Sequence, residues 1–385
     1  MRHWFSSTAF AAALAGSLAA GLAPALANPT LLFELKTGRI LQHQDVFQRW
    51  YPASLTKLMT AYVTFRAVQA GELQLDSPIK ISKKASSQQP SKMGYQPGSV
   101  IRLDNALKMM LIKSANDIAM AIGENVGGSE PAFVERMNAE AQRLGMTGTH
   151  FANPNGLFTP DQYTTARDLA LLVMAIRNEF PQYASYFSIE GLQAGKTAIM
   201  NYNLLVGRLP GADGMKTGFV CASGFNMIGS ATRNGETLVA VVLGEQSAVT
   251  RAEAAARLLD SGFASPAVAA SAPTVAALQP YGQNTAVATD MRQEICEKKP
   301  AEQLSEAGAA AEKGPKSPYQ EKLTHTPTLV AVGPGNATGP VPRARLNHEG
   351  QEYADVPIPS WRPDMPVPAG TEPLAQGDRT QKSAL

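Results

Sequence analysis

Only two of the 385 residues are cysteine, Cys221 and Cys296. They lie far apart in the sequence, so no disulfide framework is expected, and Cys221 reads as a small buried hydrophobe. Histidine is scarce as well. Of the five, His3 sits at the extreme start, and His325 and His348 sit towards the end. That leaves His43 and His150, which have no zinc-ligand spacing. The same shortage leaves a Ser-His-Asp triad almost nothing to use, and no Gly-x-Ser-x-Gly elbow presents a serine for one. His150 therefore reads as a structural histidine. A phosphate loop is missing too, because Gly195-Lys196-Thr197 lacks the upstream glycine of that motif. The formal net charge is +2 with 17% charged residues, which offers no surplus of one sign to hold a nucleic acid. Beyond the N-terminus no segment is apolar for long enough to cross a bilayer. Nothing in the chain calls for a metal or an organic cofactor.

The N-terminus has the layout of an export signal. Arg2 and His3 form a short basic start, Phe10 to Leu26 is apolar and rich in small residues, and Ala25-Leu26-Ala27 fits a cleavage site. Gly16, Gly21 and Pro24 interrupt the apolar run, which favours cleavage over a retained anchor. The exported chain is then expected to begin at Asn28.

Residues 28–264 have ordinary globular texture. Leu31 to Leu35 and Arg39 to Leu41 flank Thr37-Gly38 as a hairpin. Helical spacing is found in Leu55 to Val68, Leu103 to Ile112, Asp117 to Val126, Pro131 to Leu144, and from Thr165 to Ile176. From about residue 187 the period changes towards strands, with Asn234-Gly235 as the strongest hairpin signal. Thr250 and Glu253 suggest a capping box for a last helix that Gly262 would end. Hairpin, helices, strands and a final helix predict an α+β domain, with an antiparallel sheet packed against helices. The stretch 265–385 holds more than half of the 27 prolines and few large apolar residues. It is expected to be a mostly disordered Pro/Ala-rich tail, in which Trp361 and Pro363 close a Pro-rich run that reads as a spacer, with no partner identified.

Three short motifs stand in order within the domain: Ser54-Leu55-Thr56-Lys57, Ser114-Ala115-Asn116 and Lys216-Thr217-Gly218. Two of them have copies elsewhere. Ser77-Pro78-Ile79-Lys80 repeats the first, but on a strand the i and i+3 side chains point to opposite faces, whereas on a helix they share one. Lys36-Thr37-Gly38 repeats the third, but at a hairpin turn before any nucleophile. The set supplies what serine acyl transfer with a lysine base needs. The hydroxyl of Ser54 is a weak nucleophile without an adjacent base. Lys57 serves as that base only when neutral, which desolvation and a second nearby cation both favour. Lys216 is either that cation or the anchor of a substrate carboxylate, helped by the Thr217 hydroxyl. Gly218 would let substrate approach the backbone.

At these residues the chain resembles the low-molecular-weight penicillin-binding proteins, the serine D-alanyl-D-alanine carboxypeptidases. The likeness extends to Tyr51-Pro52-Ala53, Ile112-Lys113, Asp117, Thr149-His150-Phe151, Ala166-Arg167-Asp168 and Asp213-Gly214-Met215. It implies a serine DD-peptidase/β-lactamase-like fold and a periplasmic enzyme acting on peptidoglycan stem peptides. Ser54 would be acylated, Lys57 would be its base, Ser114 would pass a proton to the leaving D-alanine, and Asn116 would hold the peptide and Lys57. Lys216 and Thr217 would bind the terminal carboxylate, and the Ser54 and Phe219 N–H groups would form the oxyanion hole. β-Lactams would be covalent inhibitors. Many members end in an amphipathic helix that adds a peripheral inner-membrane association, but Thr371 to Leu385 carry no apolar stripe for one. Class A β-lactamases share the three motifs and add an acid for deacylation, and 148–155 contains none. An endopeptidase cutting crosslinks shares every motif, and an inactive penicillin-binding scaffold is the reading from outside enzymology.

Overall fold

The computed structural model describes residues 28–265, 268–280, 287–297, 317–319 and 321–341. The export signal expected at 1–27, Trp361 and Pro363, and the stretch from Thr371 to Leu385 lie outside these residues. The chain opens with a hairpin of β1 (Thr30–Glu34) and β2 (Ile40–Gln44). A 3-10 turn at Ala53–Leu55 runs directly into α1 (Thr56–Gln69). Three short elements, β3 (Pro78–Lys80), α2 (Lys83–Ser86) and β4 (Val100–Arg102), precede a helical lobe. That lobe contains α3 (Leu103–Ile112), α4 (Asn116–Gly127), α5 (Glu130–Arg143) and α6 (Ala166–Glu179). The hairpin of β5 (Gly191–Ala194) and β6 (Thr197–Met200) follows. Then come the long strands β7 (Ala212–Val220), β8 (Gly224–Arg233) and β9 (Glu236–Glu245), and α7 (Ala248–Ala264). Past 265 lie α8 (Arg292–Ile295) and β10 (Leu329–Val332).

The main sheet runs β2-β1-β9-β8-β7, antiparallel throughout, which is the expected α+β architecture. Alternation along its strands divides the core in two. Leu31, Phe33, Ile228, Val239 and Val241 face the helical lobe. Their neighbours Leu32, Met227, Leu238, Ala240 and Val242 face the other way and are covered by Ala252, Ala255 and Leu259 of α7. The sheet is thus enclosed between helices, and β7 is left as an edge beside the lobe.

Helix α7 begins earlier than the Thr250 cap predicts. Ser247 is its N-cap: the Thr250 N–H donates to Ser247 Oγ and the Ser247 N–H to Thr250 Oγ1, each at 3.0 Å. Thr250 closes the capping box instead of opening it. Gly262 does not end the helix either. It lies inside α7, where a Cβ would stand 2.7 Å from Leu238 Cδ1, so its bareness serves packing against the sheet.

The cysteines are also not as expected. Cys221 and Cys296 form a disulfide, with Cα atoms 5.6 Å apart. The reason is that chain beyond 265 returns to the domain. Val275, Met291 and Ile295 enter the main core, the Met291 N–H donates to the Ala222 carbonyl at 3.0 Å, and β10 pairs in parallel with β5. These anchors are single apolar residues spaced too widely to show a period, so composition alone read the region as a tail. The bridge spans 75 residues of sequence, and its loss is expected to cost roughly 2–4 kcal/mol. Urea unfolding of a Cys221→Ser/Cys296→Ser double variant beside the oxidised parent measures that cost. An unchanged midpoint would mean that packing holds the segment without the bond.

Candidate active site

Ser54 lies in the 3-10 turn immediately before α1, one step outside the helix proper. Ala53 ahead of it has φ +47°, a left-handed conformation that costs a non-glycine residue about 1–3 kcal/mol. Lys57, one turn on, is fully buried. Its Nζ donates to Ser54 Oγ at 2.9 Å, to Asn116 Oδ1 at 2.7 Å and to the Asn155 carbonyl at 2.5 Å. Three oxygens therefore satisfy an amine that would be costly to bury alone.

The second motif joins α3 to α4. Ser114 has φ +59°, so it too is held in a strained conformation, and its Oγ accepts from Lys216 Nζ at 3.0 Å. Asn116 opens α4; its Nδ2 donates to the Gln89 carbonyl at 2.9 Å. The Asp117 carboxylate accepts from the Met93 N–H at 3.0 Å and the Gly94 N–H at 2.8 Å, which fixes the loop that passes beside the motif.

The third motif lies on β7, the sheet edge. An edge strand leaves alternate N–H groups unpaired by the sheet, and the Phe219 N–H is the donor that the resemblance implies. Lys216 is 2% exposed and Thr217 1%, so the lysine lies buried against Ser114. Gly218 has a neighbour the sequence did not indicate. A Cβ there would lie 3.0 Å from both Ser54 N and Pro52 O, so its bare face meets the Ser54 turn.

The structure thus brings Ser54, Lys57, Ser114, Asn116, Lys216, Thr217, Gly218 and Phe219 together and separates the copies. Ser77 is buried and accepts from the Gln74 N–H at 2.9 Å, and Lys36-Thr37-Gly38 turns the first hairpin. His150 bonds the Asp161 carbonyl through Nδ1 at 2.7 Å and takes no part. Among the described residues no three His, Cys, Asp or Glu side chains gather as a metal site.

Two supporting residues, Gly156 and Arg251, went unnoticed in the sequence, and Asp213 was noticed only as part of the likeness. Gly156 has φ +86°, and a Cβ on it would overlap the Ala53 carbonyl at 1.9 Å; the Asn155-Gly156 turn dipeptide was the available signal. Arg251 of α7 is fully buried and donates from Nη1 to the Gly218 carbonyl at 3.2 Å and the Asn226 carbonyl at 3.3 Å. No local pattern marks it. Asp213, at the start of β7, pairs with Arg177 at 3.1 Å and accepts from Ser230 Oγ at 2.5 Å and Thr232 Oγ1 at 2.7 Å.

A cleft of about 1120 Å³ lies over the site, lined by Ser54, Ser114, Asn116 and Phe219 among others. None of the described lining residues is acidic. In the loop 148–157 the group facing Lys57 is the Asn155 carbonyl, not a carboxylate.

Burial pushes the Asp213 carboxyl up, but the Arg177 hydrogen bond and charge and the two hydroxyls outweigh it and hold it below the ordinary carboxylate range. A depressed folded pKa stabilises the protein above the unfolded value, and the benefit is lost as pH falls through the folded one. Asp213→Asn is therefore expected to lower stability by roughly 1–3 kcal/mol at neutral pH, with the gap to the parent closing below about pH 4. Thermal melts of both proteins across that range check it, and a gap independent of pH would refute it.

A family model described as D-alanyl-D-alanine carboxypeptidase matches residues 20–247. The chain is 33% identical over 267 residues to D-alanyl-D-alanine carboxypeptidase DacC of Escherichia coli, across 67% of this chain and 66% of that one. It is similar to the crystal structure of the D-alanyl-D-alanine carboxypeptidase DacD from Francisella tularensis, with a TM-score of 0.60 and 31% identity over 62% of this chain and 70% of that one. A penicillin-binding protein of Listeria monocytogenes solved in its ampicillin-bound form matches with a TM-score of 0.54 and 29% identity, over 62% of this chain and 97% of that one. The chain spans 66% of DacC and 62% of DacA from Haemophilus influenzae, just under two thirds of either length.

Proposed function

The chain belongs to the D-alanyl-D-alanine carboxypeptidase family, and on that premise we propose that it hydrolyses the terminal D-Ala-D-Ala bond of peptidoglycan stem peptides through an acyl-enzyme on Ser54. The observation that carries the reading is the buried Lys57 Nζ, 2.9 Å from Ser54 Oγ and 2.7 Å from Asn116 Oδ1.

The Ser54 oxygen attacks the carbonyl carbon of the penultimate D-alanine, and its proton passes to neutral Lys57. The carbonyl oxygen becomes an oxyanion held by the Ser54 and Phe219 backbone N–H groups. Collapse breaks the C–N bond, and Ser114, with Lys216 beneath it, relays the proton to the departing amine. Lys216 and Thr217 hold the terminal carboxylate through charge and hydroxyl, and Asn116 orients both the peptide and Lys57. Water then attacks the ester and gives a proton to Lys57, the Ser54–acyl bond breaks, and that proton passes to Ser54 Oγ as the free acid leaves. An exported chain would meet this substrate in the periplasm.

β-Lactams present a comparable carbonyl and would acylate the same oxygen, as the ampicillin-bound Listeria protein supports by likeness. Release of that acyl group would be slow, because none of the described lining residues is an acid that could activate water.

A monomeric pentapeptide stem is the expected substrate, with D-alanine release followed by chromatography. Lys57→Ala should slow it by about 10²–10⁴-fold, and Ser54→Ala should abolish both release and covalent labelling by penicillin. Cleavage confined to crosslinked dimers would mark an endopeptidase instead, and rapid repeated turnover of penicillin would mark a β-lactamase.

A further inference from the structure

The segment that returns to the domain at 287–297 also contributes a residue to the cleft. Arg292 opens α8 and lines the same cleft as Ser54, and so does Cys221. The disulfide fixes Cys296, at the end of α8, to Cys221, two residues beyond Phe219 of the proposed oxyanion site. Met291, just before Arg292, is buried and bonded to the Ala222 carbonyl at 3.0 Å. Arg292 is therefore delivered to the cleft by a segment held on both sides.

Its guanidinium stacks over the Phe158 ring at 4.0 Å, and Phe158 in turn packs edge-on against Tyr51 with centroids 5.1 Å apart. Stacking orients the plane of the fork. Arg292 pairs with Asp290 at 3.1 Å, and the side chains are 45% and 40% exposed. That pairing engages one end of a group with five donors. The rest of the lining has the same sign: Lys92 and Lys113 are the other charged residues described there, and no acid accompanies them. Lys113 Nζ donates to the Tyr202 hydroxyl at 3.1 Å and Lys92 Nζ to the Ser86 carbonyl at 3.3 Å, both neutral partners. A cleft with these walls favours an anionic occupant.

We propose that Arg292, held in place by the Cys221–Cys296 bridge, is a specificity-determining residue that binds a free carboxylate of the substrate peptide upstream of the scissile bond. This rests on the peptidase reading and names the charge class of the peptide it prefers. The guanidinium fork donates two parallel hydrogen bonds to the two oxygens of a carboxylate and cannot repeat that with a carboxamide.

The test uses two D-Ala-D-Ala-ending pentapeptides that differ only in carrying free carboxylates or carboxamides on the upstream acidic residues. Their binding is measured by calorimetry on Ser54→Ala protein, so no turnover intervenes. Adding Arg292→Ala should weaken the carboxylate peptide about fivefold and leave the amidated one unchanged, while Arg292→Lys restores part of the difference. The Cys221→Ser/Cys296→Ser pair should reproduce the Arg292→Ala pattern. Equal effects on both peptides, or none on the carboxylate peptide, overturn the assignment. A Cys double variant that keeps full discrimination overturns the role of the bridge. If unmodified protein releases D-alanine from neither peptide while the Arg292 discrimination persists, the binding inference stands and the hydrolytic reading falls.

Discussion

The site depends on burying the Lys57 amine. Fully enclosed, it needs oxygens, and three of them come from the Ser54 turn, the start of α4 and the loop before Gly156. An amine buried without such partners would leave its polar groups unsatisfied at large cost. The three segments are therefore held at one point by a single nitrogen. Lys216 repeats the arrangement from the other side, joining β7 to Ser114 across 102 residues of sequence. Lys57 thus ties together the segments of the helical lobe, Lys216 joins the sheet edge to them, and the cleft lies over both.

Backbone conformations complete this arrangement. Ala53 and Ser114, each next to or within a motif, are two of only four non-glycine residues with positive φ among those described. Such conformations persist only where the surroundings hold them. Around Ala53 those surroundings are tight: Gly156 lies where a Cβ would overlap the Ala53 carbonyl, and Gly218 brings β7 against Ser54 N. Behind β7, Arg251 binds two strand carbonyls and Asp213 ties the strand's beginning to α6 through Arg177. The edge strand is thus braced by an ion pair at its start and by the Arg251 guanidinium on its carbonyls.

The chain beyond 265 alters what the domain presents to a ligand. Without it, the region past Phe219 would lack Arg292 and the Cys296 partner of Cys221. The apolar anchors Val275, Met291 and Ile295 are modest individually, and burial of each gives about 1.5–3 kcal/mol. The disulfide limits the freedom of the segment between them and so helps that burial outweigh ordering entropy.

Local chemistry determined much of this protein. Apolar periods located α1 and α3 to α6, Asn234-Gly235 marked the β8–β9 turn, and the i, i+3 rule chose Ser54 with Lys57 over Ser77 with Lys80. Each of these rests on residues within a turn or two of one another, where geometry is set by the backbone itself. The tertiary structure alone decided what depends on contacts between distant segments: that Gly218 makes room for the Ser54 turn, that Arg251 and Asp213 brace β7, that Ser247 caps α7, and that Cys296 finds Cys221. Even the cap belongs to this group, because Ser247 and Thr250 compete with an equally plausible box three residues on, and packing of α7 against β8 and β9 selects between them. Closing long loops costs entropy that no short window of sequence can weigh against the burial gained. Only where the two ends meet does the balance become visible.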